Sequence, residues 1–212
     1  ALRMSVKSGL SMAMSGIPWW NSDIGGFLFA DIESEYFREL IVRWFQFGLF
    51  SPIMRLHGAR LKTKNHIPRH PGIIEPSGGN NEIWCFGEDN YLVLKKLIEL
   101  RERMKPYTQK YMDIASKTGK PIMRPMFFEY YKDEKCYTLE DQYMYGEDIL
   151  FAPIVEQGQE KREVYLPEGN WIHVFDGKTY TGGKIIMCYA KLHEFIAFVK
   201  EGSDAIKIFD IL

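Results

Sequence analysis

The sequence predicts an α/β front half joined to an all-β back half, the tail of an α/β domain followed by a β-sandwich. Two observations at the front carry this. Apolar residues recur every three or four positions over 34–48 and again over 88–117, the helical period. Short, small or apolar runs precede both stretches. The third observation is a change of pattern after Gly119-Lys120-Pro121, where β-prone runs are punctuated by Gly, Pro, Asn and Asp, as in an all-β unit.

The elements follow in order. Residues 9–27 begin small and apolar, then meet Pro18 and the Gly25-Gly26 pair, which rule out one continuous helix. They read as a helix end, a short buried strand and a loop. Over 34–48 the stripe is Tyr36, Phe37, Leu40, Ile41, Trp44 and Phe45, with Gly48 placed to end the helix. Residues 50–58 read as a second short strand, and 59–79, basic and then rich in Pro and Gly, as a long surface loop. The helix over 88–117 has Leu92, Leu97, Leu100, Met104, Tyr107 and Tyr111 on its apolar face. Pro106 is expected to bend or break it. Beyond it, strands are expected at 122–128, 149–154, 162–166, 171–175, 185–187 and 195–199, with a helical turn at 139–144.

Composition removes several classes of function. A formal net charge of −1 with no basic stripe makes nucleic acid a poor partner. The longest apolar runs are short and interrupted, so no segment can span a bilayer as a helix. Cys85, Cys136 and Cys188 are sparse and lack C-x-x-C spacing, which argues against a disulfide framework and a zinc site and points to a reducing, cytoplasmic compartment. His66 and His70 have metal-ligand spacing, but Pro68 and Pro71 deny them a helix. No metal or other cofactor is expected. The start at Ala1-Leu2-Arg3, with neither Met nor a signal-like stretch, leads us to expect a piece of something longer.

Two groups of residues can carry chemistry. Trp19, Trp20, Asp23, Gly25, Gly26 and Phe27 combine aromatic faces, a carboxylate and a backbone free of side chains. Such a set can hold a sugar: rings pack on the apolar face of a pyranose and a carboxylate accepts from its hydroxyls. The same residues also suit a buried aromatic strand end whose Asp caps a loop. Arg55 and His57, two apart on a strand, would point the same way and could both donate to a ligand. A structural His paired with a nearby acid fits equally well. Glu88, Glu99 and Glu102 fall on a solvated helix face, and Tyr107, Tyr111, Tyr130 and Tyr131 read as packing residues. Neither a nucleophile elbow nor a phosphate-binding glycine loop is present.

Taken together, six segments resemble glycoside hydrolase family 31. Residues 15–27 resemble its "SGxPxWxxDIGGF" segment, 43–48 its "RWxQxG" helix and 55–58 its "RxHG". Residues 119–125 resemble "GxP[VI]MRP", 146–153 "GDDLLVAP" and 164–171 "VYLPEGxW". The resemblance implies the C-terminal end of a (β/α)8 barrel over 1–118 and a proximal C-terminal β-sandwich over 119–212. Its seventh strand would close at 20–27 and its eighth at 55–58, where barrel sites gather. It implies a retaining α-glycosidase acting on α-linked glucosides or xylosides through two carboxylates. Those lie upstream in the family, in segments of the "DMNE" and "GDN" type. No nucleophile motif occurs in this chain, and Gly87-Glu88-Asp89-Asn90 stands too late to supply the acid/base.

What carries over is substrate binding. The resemblance gives His57 and Phe27 contacts with the sugar in the −1 subsite and puts Trp20, Asp23 and Arg55 beside it. The double Trp departs from relatives with one aromatic there, which leaves glucose or xylose open. The expected partners are a glycoside or oligosaccharide and the upstream part of the same enzyme, with no nucleic acid or membrane; an oligomer is left open. A transglycosidase would share all these residues. A free-standing carbohydrate-binding or interaction module built on the β-rich region is the alternative from another class.

Overall fold

A computed structural model describes residues 1–28, 30–62, 78–210 and 212. Helix α1 (Leu2–Met14) buries Leu2, Val6, Gly9, Leu10 and Ala13, one stripe at helical spacing. Helix α2 (Glu35–Leu49) starts where the Ser34 hydroxyl accepts from the Phe37 amide at 3.2 Å, an N-cap reinforced by Glu35 in the first turn. Between α1 and α2 the chain is irregular. The short strands expected there reduce to isolated parallel pairings on either side of α2, Ile24 with Leu56 and, just beyond, Ala30 with Arg60. A parallel pairing needs such a crossover, and α2 supplies it.

Gly48 does not end α2. It lies inside the helix because Ile24 occupies the space of its side chain; a Cβ there would sit 2.7 Å from Ile24 Cδ1. The helix ends one residue later, at Leu49, and just beyond it Ser51 Oγ donates back to the Phe47 carbonyl at 2.8 Å.

Helix α3 (Glu88–Thr118) ends on Gly119, left-handed at φ 76, whose amide donates to the Ala115 carbonyl at 2.9 Å. Pro106 neither breaks nor interrupts it. The helix is held on both sides of the proline: Arg101 and Arg103 donate to carbonyls of other segments before it, and Tyr107 donates to the Tyr145 carbonyl after it. The buried face is the expected one except at its start, with Leu97, Leu100, Met104 and Tyr111 buried and Tyr107 packed against the core. Leu94, Thr108 and Ala115 also face the core, while Leu92 is exposed.

The back half is antiparallel throughout. A six-stranded sheet runs in the order β1 (Met123–Pro125), β2 (Tyr143–Tyr145), β3 (Ile149–Phe151), β8 (Ala197–Lys200), β5 (Asn170–His173), β6 (Thr179–Thr181). A separate two-stranded ribbon pairs β4 (Lys161–Leu166) with β7 (Lys184–Tyr189). The ribbon contributes Val164, Leu166 and Cys188 to an apolar cluster shared with Leu150, Trp171 and Phe198 of the sheet. Three details differ from the sequence expectation. Residues 143–145 form β2 instead of a helical turn, because each pairs with β1 on one side and β3 on the other. After β1 the chain turns into the short helix α4 (Met126–Glu129), and Tyr131 is exposed instead of packed.

One apolar core crosses from front to back. The Phe50 ring stacks on Phe151 at 4.2 Å between centroids and meets Tyr145 and Phe195 edge-on at 5.9 and 5.4 Å. Polar groups follow the same route. Arg43, buried on α2, donates through Nη1 to the carbonyls of Lys191 and Glu194, and through Nη2 to those of Gln159 and Ala190, at 3.1–3.2 Å. Burial lowers the pKa of this guanidinium, with Glu39, Glu160 and Glu194 opposing.

Arg43→Met keeps the aliphatic stem but removes the four guanidinium hydrogen bonds to these carbonyls. It is expected to lower the unfolding free energy by about 2–4 kcal/mol in urea titrations. A change within 0.5 kcal/mol, the range of a neutral surface substitution, would contradict the clamp. Gly146 has φ 67, and a Cβ there would lie 2.3 Å from Tyr107 Oη, whereas Gly119, at φ 76, has nothing within 4 Å. Gly119→Ala should therefore cost about 1–2 kcal/mol of backbone strain alone, and Gly146→Ala measurably more.

Candidate functional site

Four of the five expected site residues come together on the two loops joined by the Ile24–Leu56 pairing. The Ile24 amide donates to the Arg55 carbonyl at 3.1 Å, which sets Asp23 beside Arg55 and His57. Arg55 Nε and His57 Nδ1 each lie 3.7 Å from Asp23 Oδ1. As expected of alternate residues on an extended segment, Arg55 and His57 reach the same partner. Beyond Asp23 the chain turns sharply: the Gly26 amide donates to the Asp23 carbonyl at 2.8 Å, and Gly25 and Gly26 both take left-handed φ, 84 and 79. The turn delivers Phe27, whose ring stacks on the His57 imidazole with centroids 5.5 Å apart and planes 14° apart. Phe27 is 53% exposed and the His57 side chain 46%. The Ala59 amide then donates to the Phe27 carbonyl at 2.7 Å and fixes the loops to each other.

Trp20 is the exception. It is 6% exposed, packs on Phe47, and lies over Gly9 of α1, where a Cβ would come within 1.9 Å of its ring. It is a core residue, with no face open to a ligand, because α1 lacks a side chain at the position the indole fills. Its neighbour Trp19 is 49% exposed. The metal reading of His66 and His70 lies outside the described residues. Among the described residues no cluster of His, Cys, Asp and Glu could hold a metal ion.

Sequence reasoning missed Arg60 and Asn81. Arg60 is 1% exposed and lies beneath both loops. Its Nη1 donates to the Gly26 carbonyl at 2.7 Å, its Nη2 to the carbonyls of Ile24 at 3.0 Å and His57 at 3.4 Å, and its Nε to Asn81 Oδ1 at 2.7 Å. Phe37 of α2 lies under it, 5.0 Å from Cζ to the ring centroid. Burial lowers its pKa to about 10, opposed by the Asp23 carboxylate, so it stays cationic at neutral pH. The signal in the sequence was the glycines around it, whose purpose no local rule revealed.

The arrangement offers an imidazole and a guanidinium as donors, one carboxylate as acceptor and an aromatic face, close together and each partly exposed. That chemistry suits a neutral polyhydroxylated ligand with an apolar face. A groove of about 530 Å³ is lined by Ile24 and Leu56 of the same pairing, with Ile83 and Met112 among others. None of the expected site residues lines it. Its arginine, Arg101, is already bonded to the carbonyls of Leu49, Ser51 and Pro52.

Comparison with known proteins matches both halves of the chain. Residues 1–111 match the model of the glycosyl hydrolases family 31 TIM-barrel domain, and residues 119–203 that of the family 31 C-terminal domain. Alpha-glucosidase 2 of Bacillus thermoamyloliquefaciens is 33% identical over 210 residues, 99% of this chain and 24% of that protein. An alpha-xylosidase of Saccharolobus solfataricus is 32% identical over 203 residues, 95% of this chain and 25% of that protein. The crystal structure of a family 31 alpha-xylosidase from a soil metagenome, complexed with xylose, superposes with a TM-score of 0.88 at 43% identity, covering 96% of this chain and 31% of that one. The chain thus spans about a quarter of the length of the curated relatives it matches. With both domain models matched in order along one chain, this protein belongs to glycoside hydrolase family 31.

Proposed function

We propose that this chain forms one wall of the sugar site of a retaining α-glycosidase that acts on α-linked glucosides or xylosides. The observation that carries the reading is the stacked Phe27–His57 pair, half-exposed beside Asp23 and Arg55. Phe27 packs against the C–H face of the sugar, and His57 exchanges hydrogen bonds with its hydroxyls in the −1 subsite. Asp23 and Arg55 hold the two loops in register. Trp20, a core residue, is left out of the set.

In this reading residues 1–118 are the end of a (β/α)8 barrel, with Ile24 in its seventh strand and Leu56 in its eighth, and residues 119–212 are the β-sandwich behind it. The nucleophile and the acid/base, two carboxylates about 5–5.5 Å apart in a retaining enzyme, stand on another part of the enzyme. Glu88 and Asp89, at the exposed start of α3, are not that pair. The buried thiols of Cys136 and Cys188 agree with a cytoplasmic setting. The alternative, a free-standing binding module over the back half, is disfavoured by the core that Phe50 shares with Tyr145, Phe151 and Phe195.

Residues 1–212 alone are expected to leave aryl α-glucosides and α-xylosides unhydrolysed. Turnover that disappears when an acid within this chain is mutated would sink the proposal. In the complete enzyme, His57→Ala should remove a contact to a sugar hydroxyl. The expected loss is about 1–3 kcal/mol of transition-state binding, roughly a 5- to 150-fold drop in kcat/KM. An unchanged kcat/KM refutes the role of His57.

A further inference from the structure

We propose that Arg60 is the positioning residue of the Phe27–His57 pair, and that Gly25 and Gly58 leave room for its guanidinium between the two loops. A Cβ on Gly25 would lie 2.7 Å from Ile41 Cδ1 and 2.8 Å from Arg60 Nη2, and one on Gly58 would lie 2.5 Å from the Gly26 carbonyl oxygen and 2.8 Å from Arg60 Nη1. Both glycines also have φ in the region that favours glycine, 84 and 143. Two segments that each turn on a glycine therefore close around one planar cation.

The acceptors show what that cation does. Gly26 and Ile24 belong to the loop that carries Phe27; His57 is itself the other half of the pair; Asn81 belongs to a third segment, just before α3. Three of the acceptors are main-chain carbonyls, so Arg60 constrains backbone position and not only side-chain direction. Below it, the Phe37 ring ties the assembly to α2. The 5.5 Å separation and 14° tilt of the Phe27 and His57 rings are thereby set from underneath, by a group that touches neither ring. Lysine cannot do the same. Its ammonium is a single point with three donors, whereas these acceptors are met by the spread fork of a guanidinium.

The inference rests on the reading of Phe27 and His57 as sugar-facing, and its test has one readout that does not. In the chain carrying 13C-labelled histidine, assigned with His57→Gln, the Phe27 ring should shift the His57 imidazole C–H resonance by its ring current. That shift is expected to collapse in both Arg60→Ala and Arg60→Lys. Guanidinium at a sub-denaturing concentration should restore it in Arg60→Ala only, since only there is the cradle empty. A ring-current shift that persists in Arg60→Lys overturns the proposal, and so does failure of guanidinium to restore it in folded Arg60→Ala.

Kinetics in the complete enzyme supply the second arm. Arg60→Lys should lower kcat/KM roughly tenfold or more, and the loss should shrink to a few-fold in a background of Phe27→Ala and His57→Ala, because residues that act through one another are non-additive. Full additivity counts against Arg60. If instead Phe27→Ala and His57→Ala leave kcat/KM unchanged, the sugar-facing reading fails while the spectroscopic arm still decides the role of Arg60.

Discussion

The C-terminal half of α2 is buried on every side, from Arg43 to Leu49, and the rest of the molecule is arranged around that constraint. A helix end inside a core presents carbonyls that water cannot reach, and each needs a donor from elsewhere. Arg101 of α3 supplies three, to Leu49, Ser51 and Pro52, and Tyr143 of β2 donates its hydroxyl to Phe50 at 3.0 Å. Front and back halves are therefore joined by necessity of hydrogen bonding as well as by apolar contact. Arg43 and Gln46, on the same turns, complete the joint by donating to carbonyls between Gln159 and Glu194.

The opposite face of α2 holds the candidate site. Gly48 lets Ile24 lie against the helix, Trp44 donates to the Ser22 hydroxyl at 2.9 Å, and Phe37 lies beneath Arg60. Phe27 and His57 are exposed, yet the segments that carry them rest on a buried, closely packed helix. Function placed on loops and precision supplied by a rigid element beneath them is the usual division of labour in such sites. Here the link between the two is a buried arginine, whose fixed fork suits several carbonyls at once.

Much of this was legible in the residues. The helical stripes located α2 and α3 closely, and the change after Gly119 located the antiparallel half. Motif spacing picked out Asp23, Phe27, Arg55 and His57, and the structure brings all four together. The failures share a cause. Gly48 read as a helix stop, Pro106 as a bend or break and Tyr143 and Met144 as part of a helical turn, because local rules describe what a segment prefers when nothing packs against it. Ile24, the anchors flanking Pro106, and the strands on both sides of β2 overrode those preferences.

Trp20 and Arg60 mark the boundary between the two kinds of information. From the sequence alone come the order of elements, the family, and the residue types able to meet a sugar, since periodicity and motif spacing are properties of the chain itself. Which tryptophan faces outward, and which arginine is sealed beneath the loops, depended on Gly9 and on Gly25 and Gly58. Those glycines lie apart in sequence from the groups they admit. Whether a side chain fits is a matter of volume shared between distant segments, and that only the tertiary structure decided.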